Sequence, residues 1–206
     1  MNQYIENMKN ALMNYNSEKQ KSVQRQNEIR ELYGEEAAKK EYARLENHLK
    51  SARNTAEAAI REAYSEGVYL AEQWGKMDGS KLTDDVKLLD ADLVDTDTFE
   101  KLKSRHQGNA TMLMALKKYG ERQNEAAQKK AQEKGDFMSA MNNPYNVKDI
   151  TTLPDKLNNW QKAKKQAFDT LDMIDGKGQF SDPWAQALGK ALGEQTIEHF
   201  GEGESY

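Results

Sequence analysis

The 206-residue chain contains no cysteine. That excludes disulfides, thiolate metal sites and cysteine nucleophiles. Proline is nearly as scarce: Pro144, Pro154 and Pro183 are the only three, so nothing of that kind interrupts a helix over the first 143 residues. No apolar stretch approaches the ~20 residues that cross a membrane as a helix. The opening MNQYIENMKN lacks the apolar centre of a secretory signal. β-branched residues are sparse, no run alternates apolar with polar, and no fixed-period repeat is visible. A dominant charge is missing as well: 30 Lys and Arg face 34 Asp and Glu, a net of -4, which marks neither a nucleic-acid binder nor a DNA mimic. Aromatics, at 8%, are too frequent for a fully disordered chain. What remains is a very polar chain, with 31% charged residues and a mean hydropathy of -1.00. These features predict a soluble, intracellular, all-α protein.

The clearest positive signal is a heptad stripe. Ala38, Tyr42, Leu45, Leu49, Ala52, Ala56, Ala59 and Ala63 follow a strict four–three spacing, separated mainly by Glu, Lys, Arg and Asn. Such a seam buries a narrow strip against another helix, and its alanine-rich half lets that helix come close. A helix from Glu35 to Gln73 would be about 58 Å long. A compact globule of this chain length is only about 43 Å across. The reading is therefore an elongated molecule, or one that pairs through the seam. The seam's partner is either the C-terminal helices of the same chain or a second chain. Upstream, Ile5, Met8, Leu12 and Tyr15 give a short amphipathic segment. Residues 16–28 hold Val23 as their one apolar side chain and read as a solvated helix or a connector, with Ser17 and Gln20 placed to cap a new helix. Gly34 either breaks the pattern or sits within one long helix.

Residues 1–75 thus form a long helical, coiled-coil-like region, and residues 82–120 a compact three-helix unit. Its helices are expected to be capped by Thr83, by Asp97 with Glu100, and by Asn109. Residues 121–143 read as a polar helical linker. Residues 150–200 read as a C-terminal helical pair, the first helix capped by Thr152, the second opened by Asp182 and Pro183 and carrying Trp184, Leu188, Ala191 and Leu192. Residues 201–206 form an acidic, glycine-rich tail.

Catalytic and metal signatures are absent from the pattern. His48, His106 and His199 are isolated and match no zinc motif. The acids between Asp84 and Asp97 fail the calcium-loop pattern, and aspartate is the natural residue of helix starts. The stretch from Asp172 to Gln179 has wrong residues at two ligand positions and reads as a helix-to-helix turn. No phosphate-binding loop exists. Residues 108–135 carry a net charge of +3 but only Tyr119 for base stacking, so a solvated helical face is the better reading than a nucleic-acid groove. No cofactor, metal or catalytic residue is expected.

The run LTDDVKLLDADLVDTDTFEKLKSRHQGNATMLMALKKYG resembles a module of small helical proteins encoded among the head genes of tailed phages and prophages of Gram-positive bacteria. A DDVKLL helix and an acidic turn precede a helix that opens on Asn109, Ala110, Thr111, Met112 and Leu113. The segment YGEEAAKKEYARLENHLKSARNTAEAAI fits the same group, and the resemblance spans roughly residues 30–125. It implies a virion or head-morphogenesis protein with capsid or portal partners. Scaffolding proteins, one such class, often end in a basic helical pair, whereas this tail is acidic. Three functions follow as expectations. The first is a non-enzymatic interaction protein of the host cytoplasm or virion, using the seam to pair with partners or with itself. The second is an inhibitor of a host defence nuclease whose acidic patch (Asp84, Asp85, Asp92, Asp95) covers a basic channel. The third, less favoured, is a nucleic-acid-binding accessory protein. Neither a membrane nor an enzyme activity is expected.

Overall fold

The computed structural model describes residues 3–176 together with residues 197 and 200. Those residues are all-helical, with no strand among them. The helices are α1 (Gln3–Leu32), α2 (Glu35–Gly75), α3 (Val86–Asp90), α4 (Thr96–Arg105), α5 (Ala110–Glu133), α6 (Phe137–Ala140) and α7 (Leu153–Ile174), with a 3-10 turn at Gly79–Lys81. No described helix is long and apolar enough to cross a membrane. The chain divides into two compact units: Met1–Tyr69 with Asn158–Tyr206, and Leu70–Leu157. The helices α2 and α7 each contribute to both.

In the first unit α1 is one unbroken helix, so no second helix starts at Ser17. Its buried positions explain why. Ile5, Met8, Leu12, Tyr15, Ser22 and Ile29 are buried at heptad spacing, whereas Val23 lies exposed. The remaining seam places are filled by Lys19 and Gln26, so the repeat runs straight through the polar stretch. Gly34 does break the chain: α1 ends at Leu32, α2 begins at Glu35, and the Ala38 amide donates to the Gly34 carbonyl at 2.9 Å. The helices then run antiparallel. Tyr42 donates to the Gln26 carbonyl (3.4 Å), His48 contacts Glu18 (2.9 Å) and Tyr4 hydrogen-bonds Glu66.

The α7 helix packs on a different stripe of α2, again at heptad spacing: Arg53, Glu57, Ile60, Tyr64 and Gly67. Arg61 lies over the Phe168 ring (4.8 Å) and Lys164 over the Tyr64 ring (4.3 Å). Trp160, 1% exposed, sits where a Cβ on Gly67 would come within 2.3 Å of its ring. Only a residue without a side chain lets the indole reach the α2 backbone.

The second unit is built from shorter pieces around Leu89, Val94, Phe99, Leu102, Leu113, Leu116, Tyr119 and Ile150. Phe99 and Tyr119 each meet Tyr145 edge to face, and both tyrosines donate to the Val94 carbonyl at 2.9 Å. The expected linker after residue 120 is instead the second half of a continuous α5. There Asn124, buried, exchanges hydrogen bonds of 2.8 and 3.0 Å with both backbone groups of Tyr145. Gly120 leaves room for Val147 and Phe99, whose side chains a Cβ would meet at 2.5 and 3.0 Å.

Two expected caps fall elsewhere. Asp95, in extended conformation, caps α4 by accepting from the Thr98 amide (2.8 Å), and Asp97 lies in the first turn. Asp85, not Thr83, precedes α3, and Thr83 faces the Met112 sulfur instead. Asn109 caps α5 as expected, accepting from the Met112 amide at 3.2 Å. Thr152 stands immediately before α7 and donates to the Asp155 carboxylate. The end of α3 is a Schellman turn: the Leu93 amide reaches the Leu88 carbonyl, the Asp92 amide reaches Leu89, and Asp92 takes a positive φ of 54°. Leu88 and Leu93 occupy the two positions that are commonly apolar in such a turn, and both are exposed here. Gly135 (φ 69°) ends α5 in the same way. The helix expected from Asp182, with Trp184, Leu188, Ala191 and Leu192, lies outside the described residues, as do His199 and the tail.

Candidate interaction surfaces

All eight seam residues are drawn inward. Ala38, Ala56 and Ala63 are buried, and Tyr42, Leu45, Leu49, Ala52 and Ala59 are half-buried. The facing helix is α1, which corrects the expectation that the C-terminal helices of the same chain take this stripe. The α7 helix uses the second stripe, which sequence reading passed over because two of its members are Arg53 and Glu57.

Where the three described helices of the first unit meet, charges converge on Asp175. Its carboxylate accepts from the Tyr15 hydroxyl of α1 and from the Arg53 guanidinium of α2, and the Lys19 ammonium lies 3.4 Å away. Arg53 also holds Asp172 at 2.6 Å and Glu57 at 3.0 Å. The Asp175 side chain is only 8% exposed. Burial pushes its carboxyl up, but the bonds from Tyr15 and Arg53 and the nearby Lys19 charge outweigh this and hold it below the ordinary carboxylate range. Burial and the Asp175 charge push the Tyr15 hydroxyl up, so it stays a donor. Burial alone would lower the Arg53 guanidinium; Asp172, Asp175 and Glu57 reverse that. These bonds tie α1 and α2 to the chain just beyond α7 at one carboxylate. The sequence places Tyr15 in a short amphipathic segment and the two aspartates in a turn, with nothing to join them. The missed signal was a basic residue at heptad spacing within α2.

The four aspartates of the acidic patch are brought into one unit, and each has work within it. Asp84 pairs with Lys87 (2.6 Å). Asp85 accepts from the nearly buried His106 ring (2.8 Å) and from Arg105 (3.2 Å). The His106 bond comes first among the causes that hold the Asp85 carboxyl below its ordinary range. Asp92 binds Arg122 and Gln123 at 2.6 and 2.8 Å, and Asp95 caps α4. They serve as caps and braces. No group of three or more metal-ligating side chains occurs among the described residues. In the basic stretch, Tyr119 is buried with its hydroxyl on Val94, so it offers no ring face for stacking.

Two depressions follow the α1–α2 pair. One, of about 480 Å³, runs between Gln3–Asn14 and Ala59–Glu66. The other, of about 220 Å³, is lined by Ala11, Asn14, Tyr15 and Glu18 on α1 and by Ala52, Thr55, Ala56 and Ala59 on α2. They share Ala11, Asn14 and Ala59, and so form one groove beside the seam. The second unit has a polar cleft of about 330 Å³ between α5 and residues 143–148. Set beside protein-family models, curated proteins and solved structures, the chain matches none.

Proposed function

We propose that this chain is a non-enzymatic helical interaction protein of a phage or prophage, acting in head assembly or as a virion component that binds capsid or portal protein. The observation that carries this reading is the groove beside the α1–α2 seam, which gives a helical molecule a concave strip floored by Ala11, Ala52, Ala56 and Ala59. Small side chains on such a floor let a further helix approach closely, which is how helical proteins recognise one another. The resemblance of residues 30–125 to head-locus proteins supplies the class of partner. The acidic patch lends the inhibitor reading no support, because its carboxylates are committed to bonds within the second unit.

The test is co-expression with the capsid and portal proteins of the same locus, followed by purification through a tag on this chain. One of the two is expected to be retained through gel filtration as a defined complex. Loss of both at low and moderate salt would reject the assignment.

A further inference from the structure

We propose that the α1–α2 groove receives a basic amphipathic helix of a partner protein, seated by its small-residue face and held by lysines or arginines along its flanks. This rests on the interaction-protein reading and names the chemistry of what is bound. The two depressions share a floor and extend from Gln3 to Glu18 along α1. That is an advance of about 22 Å, or four turns of helix. The floor is alanine: Ala11, Ala56 and Ala63 are buried, while Ala52 and Ala59 keep part of their surface open to the groove. Over these alanines an incoming backbone can approach closely, between walls that include Tyr4, Asn7, Asn14 and Thr55.

The walls choose the sign of the occupant. The charged residues that line the groove are Glu18, Glu62 and Glu66, with no lysine or arginine among the lining residues. Glu18 already holds Lys21 and His48, so the attraction falls mainly on Glu62 and on Glu66, whose partner Tyr4 is neutral. Laying the same face of a second copy into the groove would set these carboxylates against one another. Cationic flanks relieve that and steer the approach.

The experiment uses the full-length protein and two labelled 18-residue helical peptides with the same alanine face, one flanked by lysines and one by glutamates. Fluorescence anisotropy should show the lysine peptide binding at least tenfold more tightly, with affinity falling as salt rises. Ala59→Phe, which fills the groove at a half-buried position, should abolish that binding while circular dichroism stays unchanged. If that variant unfolds, the double change Glu62→Gln and Glu66→Gln replaces it and should weaken the lysine peptide by tenfold or more. Equal binding of the two peptides, or binding untouched by a folded groove variant, would overturn the proposal. So would concentration-dependent dimerisation that Ala59→Phe removes, since the occupant would then be a second copy. Capsid or portal retention by the parent protein, alongside any of these failures, would sink the groove assignment and leave the broader function standing.

Discussion

The two units bury their side chains in contrasting ways. In the first, long helices meet over alanines, isoleucines and one tryptophan, and charged residues stand inside the contact: Arg53, Lys19 and Asp175. In the second, α5 with three shorter helices and the loops between them closes around Phe99, Tyr119 and Tyr145, and the two tyrosine hydroxyls share one backbone carbonyl. A long helix repeats one geometry many times, so small residues suffice and a charged knot can set the register. Short helices offer few repeats, and bulky rings supply more buried area per contact.

Removing the largest buried ring from each unit tests that contrast hardest. Trp160→Ala and Phe99→Ala should each cost about 3–5 kcal/mol. If the units differ as described, thermal unfolding of Phe99→Ala should lose the near-ultraviolet tyrosine signal first, whereas Trp160→Ala should loosen α1 and α7, seen as faster amide exchange there. A single transition with uniform exchange in both variants would erase the distinction.

A smaller effect isolates the charged knot. Because the Asp175 carboxyl is held below its ordinary range, its contribution is complete above the unfolded value near 3.9 and is lost as pH falls through the lower folded value. Stability measured by urea should therefore decline below about pH 4. Asp175→Asn should flatten that decline and destabilise the protein at neutral pH by about 1–3 kcal/mol. An unchanged acid slope would show that other carboxylates dominate.

The smallest effect is in the second unit. Asp92→Gly removes a side chain from a left-handed backbone, a gain of about 1 kcal/mol, against the loss of exposed bonds to Arg122 and Gln123 worth about 0–1 kcal/mol. The melting temperature should stay level or rise slightly. A clear fall would mean that the Arg122 bond matters more than the backbone.

These differences also explain what could be read in the sequence. The α2 stripe was legible because its members are apolar at fixed spacing. The α1 repeat faded where Lys19, Ser22 and Gln26 fill seam places, since hydropathy cannot see a buried hydroxyl or a carbonyl partner. Asn109 was legible as a cap because side-chain capping is local. Asp97 was misassigned because Asp95, two residues earlier, competes for the same role and backbone conformation decides between them. The apparent linker after Gly120 concealed Asn124, whose partner, Tyr145, lies 21 residues away. The knot around Asp175 joins residues more than a hundred positions apart, beyond the reach of any local pattern.

The seat of Trp160 on Gly67 has a consequence for synthesis. The glycine leaves the ribosome with α2, but its indole follows roughly 100 residues later, a delay of about 5–20 s at a synthesis rate of about 5–20 residues per second. Throughout that interval the nascent hairpin carries a bare notch beside Ile60, and α7, the last long helix among the described residues, is the one that seals it.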